Sequence, residues 1–371
     1  MTRTSLRPAY GLSGLRTART RDLRALADEV GRIGREAGLD AVGIAEARPF
    51  DRARRVLDER KAAGLHGGMQ FTYRNPARAT DPARSLPGAR ALVVGARAYR
   101  RRRPPPPAEG GPWGSVAAYS WRDHYAPLRA ALQEVADRLA RDGWGTRVLV
   151  DDNALVDREA AYRAGIGWFG KNANLLLPGL GSWFVLGSVV TDAPLPPDAD
   201  VPLDDGCGSC TKCLTACPTG ALVAPGVLDA RRCLAWLLEA PGSFPVEHRE
   251  ALGGRVYGCD DCQEVCPPNR AADRRTPPPL AEADAEPWVS LVELLDLDDE
   301  ALLARFARWY VPRREARYLR RNALVALGNV GDGADPEVER VLRSALADPD
   351  ALVVEHARWA AARLGRHDLV P

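Results

Sequence analysis

Lysine is nearly missing from this chain: Lys61, Lys171 and Lys212 are the only three, against a combined lysine and arginine total of 51 in 371 residues. Arginine therefore carries the positive charge, and 49 acidic residues leave a formal net charge of only +2. So balanced a molecule is not a polycation, and any nucleic-acid surface must be local. Histidine is scarce too, five in all. Long apolar runs are absent, which excludes a helical membrane span of about eighteen residues or more. The opening "MTRTSLRPAYGLSGLRTARTR" has neither an apolar core nor a twin arginine, so residues 1–20 read as a flexible basic extension rather than an export signal. The expected location is cytoplasmic. In that reducing compartment, clustered cysteines point to metal rather than to disulfides.

Up to about residue 200, helical and strand patterns alternate. Leu23, Leu26, Ala27, Val30 and Ile33 share one helical face, as do Leu128, Leu132, Val135 and Leu139. Strands are expected at "DAVGIAEA", "ALVVGARAY", "GSVAAYSW", "TRVLV" and "WFVLGSVVTD". The tract "RRRRPPPP" (100–107) must be a loop. This alternation argues for an α/β layer. "DAPLPPDADVPLDDG" marks a boundary near residue 200, and a second proline-rich linker follows the last cysteine. The remaining ninety or so residues read as wholly helical. Within them, 321–365 look like helix, turn, helix, turn, helix, with Asp or Pro opening the helices, the pattern of one to two HEAT-type repeats.

All eight cysteines fall between residues 207 and 266. Cys207, Cys210, Cys213, Cys217 and Pro218 make C-x2-C-x2-C-x3-C-P, the bacterial ferredoxin spacing for [4Fe–4S] ligation, in which the fourth thiolate serves the other cluster of a pair. Zinc sites favour two separated knuckles, often with histidine, and no histidine stands in this run before His248. Cys259, Cys262, Cys266 and Pro267 repeat the pattern with one leading cysteine missing. Cys233 is the remaining candidate; the bland alternative for it is a buried apolar thiol. With it the count closes on two cubanes: Cys207, Cys210, Cys213 and Cys266 for one, Cys217, Cys233, Cys259 and Cys262 for the other. Such a pair is an electron wire, and the chemistry it feeds must lie elsewhere, with the α/β layer as the place to look.

Four stretches taken together, "VDDNALVDREAAYRAGIGWFGKN", "CGSCTKCLTACPTGAL", "YGCDDCQEVCP" and "RNALVALGN", resemble the epoxyqueuosine reductases over roughly residues 21–365. The resemblance implies a cytoplasmic enzyme without membrane attachment, a monomer, that uses cob(II)alamin and two [4Fe–4S] clusters. Its expected substrate is a tRNA bearing epoxyqueuosine at the wobble position, and its expected electron donor a ferredoxin or flavodoxin. The implied architecture is an α/β cobalamin-binding domain over 21–200, a ferredoxin-like two-cluster domain over 201–275, and an all-α HEAT-like tRNA-binding domain over 276–371. The signature D-x-H-x-x-G of a histidine-ligated corrinoid is absent.

The resemblance also assigns residues. Asp151 matches the family's proton donor. An acid at a strand end, where α/β folds place ligands, can have its pKa raised by an apolar face. The alternative is that Asp151 to Asn153 cap a helix beginning near Ala154. Arg78, Asp151, Lys171, Asn172, Leu175, Leu186, Asp260 and Asp261 are the implied cobalamin contacts. His124 and Tyr125 stand in swapped order relative to the family. For tRNA, "RFARWYVPRREARYLRR" (305–321) interleaves seven arginines with Trp309, Tyr310 and Tyr318 against one acid, Glu315. From it Arg313, Arg314, Arg317, Arg320 and Arg321 are expected at the RNA, with Arg158 near the substrate base. Three rival readings remain: a non-catalytic two-cluster electron carrier, which retains no corrinoid; a corrinoid reductive dehalogenase-like enzyme, which has an export signal and no RNA-binding tail; and a zinc-stabilised RNA-binding module.

Overall fold

The computed structural model describes residues 23–199, 203 and 205–370, so the basic extension read over 1–20 lies outside the described residues. Helix α1 (Leu23–Glu36) buries Leu26, Ala27 and Val30, as its periodicity predicts. Four strands make the main sheet: β1 (Ala41–Glu46), β2 (Ala91–Ala98), β4 (Thr146–Val150) and β5 (Phe184–Thr191). They lie in the order β1-β2-β5-β4, and every neighbouring pair is antiparallel. Alternation sends Val93 and Val189 to the face covered by α1 and α2 (Tyr125–Arg141), and Leu92, Val94 and Val190 to the face covered by α3 (Asp157–Arg163). Helix α2 approaches closely: a Cβ at Gly187 would stand 2.6 Å from Leu132 Cδ1, so only glycine fits there.

"GSVAAYSW" is only half strand. β3 (Trp113–Val116) ends in a 3-10 turn at Ala118–Ser120. β3 then pairs parallel with β6 (Arg255–Tyr257) and antiparallel with β7 (Trp288–Ser290). This small sheet stitches the first half of the chain to the cysteine region and to the C-terminal segment. The segment expected to be wholly helical therefore contains a strand, β7, which is held by its partner β3 rather than by local propensity.

Beyond it, α8 (Arg317–Val330) and α9 (Pro336–Leu346) both pack on α10 (Ala351–Arg363). Asp335 and Asp350 cap the last two as the sequence suggests, accepting from Glu337 N and Leu352 N at 2.8 Å each. His356 of α10 is fully buried against the cysteine region. Its Nδ1 donates to Leu352 O at 2.7 Å, while Nε2 accepts from Phe244 N and Arg249 Nη2 at 3.1 Å each. Burial holds its pKa down at about 4. The neutral ring therefore contributes stability that is complete above the ordinary value of 6.5 and is lost as pH falls toward 4. The thermal stability of the wild type should fall across that window relative to His356→Leu. The variant should be less stable at pH 7, because Phe244 N loses its acceptor.

Candidate functional site

The cysteine ligand loops are short and turn-rich. Helices α4 (Lys212–Ala216) and α7 (Asp261–Glu264) carry parts of the two motifs and pack on each other, and α5 (Leu234–Glu239) opens at Cys233. All eight cysteines are free thiols. Burial raises Cys266 to about 11, and the neighbouring charges that add to it are those of Cys207, Cys213 and Cys210. Burial likewise raises Cys259, Cys262 and Cys233. Cys259 feels Cys233; Cys262 feels Cys259 and Cys233; Cys233 feels Cys217. Only the weaker influence of Cys213 on Cys262 crosses between the two sets. Against its burial, Cys217 is lowered by backbone amides, with Ala221 N donating to its sulfur at 3.2 Å. Buried thiols of raised pKa become thiolates when metal replaces the proton. Gly258, at φ 68, lets the Cys259 loop lie against the first half of the chain: a Cβ there would meet Ala117 Cβ at 2.5 Å.

Asp151 closes β4 in the left-handed region, φ 51, an uncommon conformation for a residue other than glycine and one found at functional sites. Its carboxyl makes no hydrogen bond among the described residues. It does not cap a helix: α3 begins at Asp157, not near Ala154, and Asp152 closes the local turn by accepting from Ala154 N at 2.8 Å. Asp151 is itself exposed, and the protein around it withholds only part of its water, which raises its pKa. Arg129 opposes the shift and Asp152 adds to it.

The field of Asp151 reaches three further groups. Burial first, then Asp151, raises Tyr125 and Asp157. Glu239, at the end of α5 in the cysteine region, is pushed up to about 7 by burial, with the Tyr119 and Tyr257 hydroxyls opposing and Asp151 adding. Tyr119 Oη donates to Glu239 Oε1 at 2.9 Å. The charge of Asp151 at the sheet end thus reaches Glu239 in the cysteine region, and an acidic, tyrosine-rich cluster joins the two. Glu239, Tyr119, Tyr257 and Asp157 were not among the residues expected from sequence. The swapped pair is resolved as well. His124 lies 5.2 Å from the Tyr99 ring, its pKa held at about 4 by burial, while Tyr125 faces Asp151.

The residues expected to contact cobalamin divide. Asp260 is buried and raised to about 6, chiefly by burial; its Oδ2 accepts from Ala118 N at 2.6 Å, and its Oδ1 has no partner. Buried Asn172 accepts from Asn174 N and leaves Nδ2 unpartnered. Asp261 is occupied by both arms of an Arg255 amino group at 2.7 Å. Lys171 Nζ donates to Gly208 O at 2.5 Å, beside Cys207. Leu175 is buried, Leu186 half-buried on β5, and Arg78 exposed in the turn Pro76–Ala79.

The expected RNA face shrinks. Arg321 is 1% exposed and donates only inward, so it cannot reach RNA. Trp309 is buried and stacked between Tyr257 and Phe306, at 4.5 and 4.1 Å, and Tyr318 is buried as well, so neither offers a ring to a base. Arg320 pairs with Asp299, and Arg317 with Glu315 and Asp350. Arg314 donates to Leu303 O at 2.7 Å. The Arg313 side chain is 76% exposed, and it and Arg314 both take left-handed backbone. Tyr310 beside them is 56% exposed. Arg158 is exposed and donates to Ala173 O at 3.0 Å.

Residues 206–269 match the family model described as a 4Fe-4S double cluster binding domain. An epoxyqueuosine reductase of Bacillus cereus is 34% identical over 93% of this chain and 90% of its own length. That of Burkholderia pseudomallei is 35% identical over 91% and 92%, and that of Bacillus subtilis 35% over 92% and 88%. Among solved structures, an epoxyqueuosine reductase holding a tRNA-Tyr epoxyqueuosine-modified stem loop superposes with a TM-score of 0.82 at 32% identity, covering 92% of this chain and 91% of the other. The Bacillus subtilis enzyme, solved with its catalytic aspartate loop swung out of the active site, does so with the same score, identity and coverage.

Proposed function

This chain belongs to the epoxyqueuosine reductases and is an oxidoreductase, and from that premise we propose that it reduces epoxyqueuosine to queuosine at the wobble position of tRNA with Asp151 as the proton donor. The observation that carries this reading is an aspartate in a strained turn, its carboxyl without a hydrogen bond among the described residues and its pKa raised, whose charge reaches Glu239 of the cysteine region; we take the space between them as the substrate cleft. The double-cluster match supports two iron–sulfur clusters. We assign them to Cys207, Cys210, Cys213 and Cys266, and to Cys217, Cys233, Cys259 and Cys262, the same two sets into which the thiol electrostatics fall.

Cobalamin fits the cleft by its chemistry. Asn172 Nδ2 and Asp260 Oδ1 are a buried donor and a buried acceptor without protein partners, and a corrin rim of amide side chains offers the complement of each. Arg78, Lys171, Leu175, Leu186 and Asp261 complete the proposed holding set. Cobalamin held there would supply the two-electron reducing chemistry that opening the epoxide requires. The balance is epoxide plus two electrons plus two protons, giving alkene and water. Asp151 holds one of those protons at the departing oxygen, its pKa raised by partial desolvation and by Asp152 against the opposing Arg129. The finer domain reading follows: an α/β cobalamin-binding layer, a ferredoxin-like cluster region and a HEAT-like helical end. A cytoplasmic monomer fed one electron at a time by a ferredoxin or flavodoxin completes the proposal. Among the described residues no helix is long and apolar enough to cross a membrane.

Arg313 and Arg314, with Arg158, Arg317 and Arg320 in held positions, form the proposed RNA contacts. Arg313→Ala should weaken binding of an anticodon stem loop and lower the salt slope of log K by about 0.7–0.9, read by fluorescence anisotropy at several salt concentrations. The test that separates an enzyme from an electron carrier is anaerobic reconstitution with iron, sulfide and cobalamin, followed by gel filtration. Co-eluting corrinoid absorbance supports the proposal; its complete loss supports the carrier.

A further inference from the structure

The motif "RNALVALGN" (321–329) opens with a buried arginine, and all of its polar side chains point into the cysteine region. Arg321 Nη1 donates to Ala240 O and Gly242 O at 2.7 and 2.6 Å, and Nη2 to Leu237 O and Leu238 O at 3.0 and 3.1 Å. Asn322 Oδ1 accepts from the same guanidinium, and Asn322 Nδ2 donates to Leu238 O at 2.9 Å and Val256 O at 3.2 Å. One turn or two further on, Asn329 Nδ2 donates to Arg249 O and Gly253 O at 2.7 and 3.0 Å.

These acceptors are not scattered. Helix α5 is six residues long and ends at Ala240 in extended conformation, φ −79 and ψ 146, so its last carbonyls need partners from outside the helix. Arg321 and Asn322 supply them. The other end of α5 is Cys233, whose carbonyl accepts the first helical hydrogen bond from Leu237 N at 2.8 Å. Val256 lies in β6, three residues before Cys259. One asparagine amide therefore ties together the segment bearing Cys233 and the segment bearing Cys259 and Cys262.

The two proposed clusters differ in what their ligands need. Three thiolates of the first come from one run of seven residues, Cys207–Cys213, whose spacing alone holds them close. Those of the second come from Cys217, Cys233 and the Cys259–Cys262 turn, separated in sequence by 15 and 25 intervening residues. Nothing local sets their spacing. Arg321 has no carboxylate partner among the described residues; it is paired instead with four carbonyl dipoles and lies over the Tyr318 ring at 5.3 Å. A buried guanidinium is costly to keep, and an apolar side chain would fill its space with less penalty. Its forked donors are what an apolar residue cannot replace.

We propose that Arg321 and Asn322 are positioning residues for the second cluster, bracing from the helical end the two segments that carry Cys233, Cys259 and Cys262. This rests on the cluster assignment above. The test uses the full chain, reconstituted anaerobically, as Arg321→Lys and Asn322→Ala, with iron and sulfide analysis, EPR of the reduced clusters, and stem-loop binding. Arg321→Lys keeps charge and approximate volume but cannot serve four carbonyls, so it carries the test should Asn322→Ala fail to fold. The expected result is selective: about half the iron lost, or one cluster's EPR signal and potential shifted, with the other cluster's signal and RNA affinity unchanged. Full iron with both signals unchanged would overturn the proposal, as would equal damage to both clusters. Cys233→Ser is the control that separates the two ideas: full iron in that variant removes the cluster assignment itself, whereas loss there with none in the brace variants removes only the brace.

Discussion

Asp151→Asn is expected to slow epoxide reduction by about 10²–10⁴-fold, the range a positioned general acid supplies, while iron, corrinoid and stem loop remain bound. The substitution suits the question because the backbone asks for it. Position 151 sits at φ 51, and asparagine is among the few side chains that enter the left-handed region readily. The turn should persist, since the hydrogen bond that closes it belongs to Asp152. What disappears is a titratable proton whose pKa partial desolvation raises. The sign of the pH dependence follows. The acid form is the active one, so the single-turnover rate of the wild type should fall as pH rises through the raised pKa of Asp151. In Asp151→Asn that limb should vanish and leave a low, flat rate. A variant with wild-type rate and an unchanged profile would remove Asp151 as the acid.

Cys233→Ser should abolish turnover and reduce bound iron by about half, because a cubane that loses one of four thiolates is held by three and feeds nothing onward. The effect is large because Cys233 stands alone. It belongs to neither cysteine motif, it stands half-buried at the mouth of α5, and the charge that acts on it most strongly is that of Cys217. Were it an inert core thiol, serine would cost a little stability and no iron. Iron analysis with EPR of the dithionite-reduced protein separates these outcomes, and full iron with full activity would place Cys233 outside the cluster.

How much of this was legible beforehand depended on how local each signal is. Ligand spacing is a property of a few consecutive residues, so the ferredoxin pattern announced itself, and Cys233 followed from the count. Asp151 was visible through the family resemblance, since an aspartate at a strand end reads by itself equally as a helix cap. The acid cluster was not: Glu239 and Tyr119 are 120 residues apart and meet only because β3 pairs with β6 across the small sheet. The arginine tract misled for a related reason. Composition records charge but not the direction in which a side chain points. Yet Arg321 stands three, four and seven residues before Leu324, Val325 and Gly328, all buried, and helical periodicity alone would have placed it on that inward stripe. Trp309 gave no such warning, since one of its two stacking partners, Tyr257, comes from the distant strand β6.

The cleft reading stands or falls on product analysis. Anaerobically reconstituted chain is incubated with cobalamin, a strong one-electron reductant and tRNA bearing epoxyqueuosine, and the nucleosides are then separated and identified by mass. Conversion to queuosine with cobalamin present and none without it is the outcome expected. Equal conversion without cobalamin, or intact epoxide in protein shown to hold both clusters and the corrinoid, would contradict the account.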